Sequence, residues 1–174
     1  ASSLSQRVAE RSAQAAKQKR VSDLSTELLK LVKNPAAKGG GAIQALLDEL
    51  SKLGESEKAA SFRASALESL RKQAAKVRTD EDVQDLRRAM RGLIETGSAE
   101  EKEISSVIDT SLKEWRNKRT LEIETALGKV KPAENTKQVV ELLRELTELA
   151  EPEHVKTAVQ ALRKKYIEAA SRLK

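Results

Sequence analysis

Hydrophobic positions recur three and four residues apart along almost the whole chain, the spacing that lines one face of an α-helix. Val21, Leu24, Leu28, Leu31 and Val32 carry this rhythm in a first segment, Leu4 to Lys33, that contains neither proline nor glycine. Its opening, "SLSQRVAERSAQAAKQKR", has only Leu4 and Val8 as sizeable apolar side chains. That part is predicted to protrude, fray or await a partner, with tight packing starting near Val21. "NPAAKGGG", residues 34–41, ends the helix, because the residue before a proline avoids helical backbone and glycine loses the most entropy on ordering. It reads as a loop, with Gly39, Gly40 and Gly41 as a flexible connector.

A second helix places Ile43, Leu46, Leu47, Leu50 and Leu53 on one face and stops at Gly54. A third turns Phe62, Ala66, Leu67 and Leu70 inward. "TDED", residues 79–82, supplies a cap and first-turn acids to a fourth helix carrying Val83, Leu86, Met90, Leu93 and Ile94. Ser98 and Glu101 have capping-box spacing and open a fifth, long helix through Ile104, Val107, Ile108, Leu112 and Trp115 to Ile123, Leu127 and Val130. After "KPAENT" come a sixth helix, with Val139, Leu142, Leu143, Leu146 and Leu149, and a seventh that starts at Pro152. The last is predicted to bury one stripe of Val155, Val159, Leu162, Tyr166, Ala170 and Leu173.

Two stretches are near copies. Ile43, Leu46, Leu47, Glu49, Leu50, Leu53, Glu55 and Glu57 fall opposite Val139, Leu142, Leu143, Glu145, Leu146, Leu149, Glu151 and Glu153. Lys19 and Arg20 face Lys118 and Arg119, and "ALESLRK" at 66–72 faces "AVQALRK" at 158–164 after a shift of about one helical turn. The expectation is an all-α protein of about seven helices in two related bundle units, residues 1–97 and 98–174, or a short α-solenoid.

Composition narrows the class. Of 174 residues, 39% are hydrophobic, 34% charged and only 2% aromatic, so the core must be built from leucine, isoleucine, valine and alanine meshing between helices. No cysteine is present, which removes disulfides and thiolate metal sites. No apolar run is long enough for a membrane span. These features fit an intracellular protein, nuclear or cytoplasmic. The net charge of +6 permits acidic partners or phosphate backbones, but acids and bases are interspersed, as on solvated helix faces.

Catalysis needs convergent titratable groups, and the chain has one histidine, His154, at the start of the last helix, where a solvent-facing or capping role is expected. The acidic pairs Asp80 with Asp82 and Glu100 with Glu101 sit at helix starts, where the macrodipole favours negative charge. "GGG" lacks the lysine and hydroxyl of a phosphate loop. No enzyme activity, cofactor or metal is therefore expected. Candidate contacts for phosphate or an acidic partner are Lys17, Lys19 and Arg20, their echo at Lys113, Arg116, Lys118 and Arg119, and a patch of Arg87, Arg88 and Arg91. Trp115 is a core anchor or, if exposed, a partner hot spot.

Residues 21–96 resemble the N-terminal domain of the transcript-elongation factor TFIIS and the integrase-binding domain of the lens-epithelium-derived growth factor. The resemblance lies in "ALLDELSKL", then "ALESLRKQ" or "AVQALRKKY" where those domains carry a basic stretch, then "DEDVQDLRRAMRGLI" as a closing helix. It implies a non-enzymatic bundle that captures short disordered segments of transcription-associated proteins. A spectrin-type repeat is the lesser match, since its bundle needs three long helices and the second helix here is short. The expected function is an interaction or scaffold module docking a partner segment in an interhelical groove, with RNA or DNA backbone binding as the alternative.

Overall fold

Leucine and alanine at helical spacing, with few aromatic residues, give an all-α chain. The computed structural model describes residues 4–131 and 135–171. Among these the helices are α1 (Leu4–Leu31), α2 (Gly40–Lys52), α3 (Ser56–Ala74), α4 (Asp80–Met90), α5 (Ala99–Lys129), α6 (Thr136–Leu149) and α7 (Pro152–Ser171). A single 3-10 turn, Pro35–Ala37, links α1 to α2. No helix is long and apolar enough to cross a membrane among the described residues. Leu173 and the segment 132–134 lie outside them.

The chain divides into two compact units, residues 1–111 and 112–174. The division falls inside α5 rather than ahead of it, because Ile104 and Ile108 are wholly buried and belong to the first unit. There α2 packs along α3 and α1, and α4 closes over α3 and the 3-10 turn. Leu24, Leu28, Ile43, Leu50, Leu70 and Leu93 form the centre and are sealed from solvent. Burial along α1 begins at Val21, and every residue from Leu4 to Arg20 is exposed.

Helix ends follow local chemistry. Gly54, at φ +84°, terminates α2 in a left-handed cap in which its N–H meets the Ser51 carbonyl at 2.9 Å and the Glu55 N–H meets that of Leu50 at 3.1 Å. At α4, Thr79 Oγ1 accepts from the Asp82 N–H at 3.1 Å, while Asp82 Oδ2 accepts from the Thr79 and Arg78 N–H groups at 2.9 and 3.0 Å. At α5, Ser98 Oγ accepts from the Glu101 N–H at 3.2 Å, and the Glu101 carboxylate reaches back one residue further than capping-box spacing implies, to the Gly97 N–H.

The triple glycine is not a slack connector. Gly39 caps α2 with φ +81°, and Gly40 and Gly41 form its first turn. A Cβ on Gly40 would stand 2.0 Å from the Ala89 carbonyl oxygen and 2.7 Å from that of Arg91, so the glycine lets α2 touch the end of α4 backbone to backbone.

In the second unit α6 and α7 pack with the last turns of α5 around Ile123, Leu127, Val139, Leu146 and Leu162. Val155 and Ala158 lean on that cluster, but Val159 and Tyr166 do not join it. The predicted α7 stripe is therefore narrower than it reads. Val159 and Ile167, on the other flank of α7, are exposed.

Candidate functional site

Arginine placement decides what the basic clusters can do. Arg20, on α1, donates from Nε and a terminal nitrogen to both oxygens of Glu49 on α2, at 2.6 and 2.7 Å. Arg119, on α5, makes the same fork to Glu145 on α6, at 2.6 and 2.9 Å, and also bonds Glu122 at 3.1 Å. In each pair the arginine's hydrogen bonds hold the glutamate below its ordinary carboxylate range, outweighing slight desolvation. Both arginines are thus committed to joining the first and second helices of a unit.

Other members of the predicted clusters are partly engaged. Arg87 approaches Asp109 at 3.9 Å, and Arg88 pairs with Asp85 at 3.2 Å. Arg91 caps the end of α4 and is exposed. Lys19, Lys113 and Lys118 are exposed, and Arg116 and Trp115 are half-buried. Lys17 is also exposed; its ammonium lies over the α2 terminator, where a Cβ on Gly54 would stand 3.6 Å away. Lys17 and Lys58 border a polar hollow of about 600 Å³ with Gln14, Gln18, Ser22, Ser25 and Glu55, whose carboxylate pairs with Lys58 at 3.0 Å. Lys17, Lys19 and Arg20 lie in the first unit, and Lys113, Arg116, Lys118 and Arg119 in the second.

The second unit has a different kind of depression. Leu127 and Gly128 of α5 face Thr157, Ala158, Ala161 and Leu162 of α7 across a groove of about 230 Å³. The lack of a side chain at Gly128 and the single methyls of Ala158 and Ala161 leave the space between the two helices unfilled. Lys165 stands at one end and donates to the Leu127 carbonyl at 3.2 Å and to that of Gly128, satisfying carbonyls at the end of α5. Glu124 stands at the other, with its Oε1 2.9 Å from His154 Nδ1. His154 is thus tied across to α5 while remaining largely exposed. The groove was not legible as a site from the sequence; its signal is the coincidence of Gly128 with Ala158 and Ala161.

Among the described residues no group of three or more histidines and acids is placed to hold a metal ion. Comparison with protein-family models, with curated proteins and with solved structures gives no match to this chain.

Proposed function

We propose that the chain is a non-catalytic interaction module of two related helical units, and that its second unit seats an apolar partner segment between α5 and α7. The observation that carries this is the groove walled by Leu127, Ala158, Ala161 and Leu162 with a cation at one end and a carboxylate at the other. Apolar walls supply affinity, and the charged ends fix the orientation of an amphipathic segment.

The relation between the units rests on equivalent roles. Arg20 with Glu49 and Arg119 with Glu145 make one fork at matching places in the repeat. Leu24 and Leu28, one and two turns beyond Arg20, are buried as Ile123 and Leu127 are beyond Arg119; Leu50 and Leu146 are both sealed.

Ala161 is exposed at the groove lip, so Ala161→Arg fills the groove without disturbing the core. Binding of a selected partner peptide is expected to fall at least about tenfold, roughly 1.4 kcal/mol, by titration calorimetry, and to survive nuclease treatment and moderate salt. Unchanged binding by this variant contradicts the groove.

A second reading, phosphate-backbone binding, is favoured by Lys17 at the polar hollow on the first unit, where Lys58 is already paired with Glu55. It requires affinity that falls steeply with salt and is abolished by Lys17→Glu with Lys19→Glu. Arg119→Glu is unsuitable for that test because it breaks the Glu145 fork.

A further inference from the structure

Every residue of α1 from Leu4 to Arg20 is exposed, so nearly five turns of regular helix, about 25 Å long, stand clear of the first unit's core. Leu4 and Val8 are the only large apolar side chains on this arm, too little surface to hold a partner by burial. Its affinity for anything must come from charge. Arg7, Arg11, Lys17 and Lys19 make no ion pair among the described residues, and Glu10 is the only acid between Leu4 and Arg20. Arg20 is committed to Glu49. A second copy of the arm would set like charges against these cations, so self-association is opposed.

The cations are arranged around the helix in a definite way. At about 100° per residue, Arg7 and Arg11 lie within about 40° of each other. Lys17 falls about 80° to one side of Arg7, and Lys19 about 80° to the other side of Arg11. Two arginines thus lead, with a lysine on each flank, while the face behind them carries Ala9, Ala13 and Ala16. Cations on three sides fit an anionic surface that wraps the helix. A flat layer of lipid headgroups, or an acidic helix of another protein, would meet one side alone. The major groove of B-form DNA is such a surface: it is about 12 Å wide, admits a helix about 10–12 Å across, and is walled by phosphates on both sides. The major groove of an A-form RNA duplex is too narrow for side chains to read.

Resting on the phosphate-backbone reading above, but not on the groove between α5 and α7, we propose that the exposed start of α1 is an arm that enters the major groove of duplex DNA. Arg7 and Arg11 point toward the base edges, where an arginine donates to guanine O6 and N7. Lys17 and Lys19 meet phosphates of the two walls and fix the register. Glu10 lies two turns before Lys17 on the same flank, so its carboxylate faces the phosphates of that wall and weakens the contact.

The test is fluorescence anisotropy of the full chain with a mixed-sequence DNA duplex of about two helical turns, ~20 base pairs, together with dimethyl sulfate probing of guanine N7 in the complex. N7 is expected to be protected, and an RNA duplex of the same sequence to bind at least about tenfold more weakly. Arg7→Ala with Arg11→Ala is expected to lower affinity for the DNA at least about tenfold and to remove the protection. Lys17→Gln with Lys19→Gln should reduce the slope of log affinity against log salt by about 2. Glu10→Gln should raise affinity, a gain that misfolding cannot imitate, and Ala161→Arg should leave it unchanged. Salt-sensitive binding that needs both lysines but neither arginine overturns this inference and leaves the phosphate-backbone reading standing. Absence of DNA binding, unprotected N7, equal or tighter binding of the RNA duplex, or indifference to Glu10→Gln also overturns it.

Discussion

Gly40 shows how much one hydrogen in place of a methyl can decide. The Ala89 and Arg91 carbonyls occupy the space a Cβ would need, and backbone oxygens at helix ends cannot swing aside as a long side chain can. Gly40→Ala is therefore expected to destabilise the fold by about 2 kcal/mol or more, measured by urea unfolding. Gly41, whose Cβ would meet nothing, serves as the control. Thr79→Ala removes one arm of the α4 capping box and should cost about 1 kcal/mol.

Titration acts at the same scale. Arginine hydrogen bonds lower Glu49, Glu103 and Glu145, a lysine hydrogen bond lowers Glu68, and the backbone N–H groups of Arg78 and Thr79 lower Asp82. Each carboxylate binds its proton less readily folded than unfolded. The stability they add is complete above the ordinary values of 4.5 for glutamate and 3.8 for aspartate, and is lost as pH falls through the lower folded values. The urea midpoint should hold from neutral pH to about 5 and then decline on further acidification. A midpoint that rises below pH 5 contradicts these pairings.

At the scale of elements, legibility tracked how local the cause was. The caps at Thr79 and Ser98, the stop at Gly54 and the late start of burial at Val21 follow from residues within a turn or two, and the sequence pattern carries them. The role of "GGG" does not, because its reason is α4, half a unit away. The α7 stripe misled for a related cause: Val159 and Tyr166 have the spacing of core residues, and spacing reports a face, not what covers it. The exposed first half of α1 is helix without a core. Deleting residues 1–13 should lower helical ellipticity while shifting the unfolding free energy by less than about 0.5 kcal/mol; a larger loss would mean that these turns pack.

For the whole molecule, paired acids and bases explain why a cluster of cations in the sequence need not be a cluster of free cations in the fold. Arg20 and Arg119 looked like repeated phosphate contacts because their repetition is visible and their partners are not. Glu49 and Glu145 repeat too, and the structure joins the two observations. The groove between α5 and α7 remained hidden because it is made by small residues 30 or so positions apart, which leave no periodic signal. Under the proposed function, what the chain captures is decided there. The most direct measurement is a selection of helical peptides against the full chain, with counter-selection on Ala161→Arg. The account predicts enriched peptides with apolar residues three and four apart whose binding drops at least about tenfold, roughly 1.4 kcal/mol, on that variant and changes little between about 0.1 and 0.5 M salt. Enrichment indifferent to Ala161→Arg, or binding that disappears across that salt range, would contradict it.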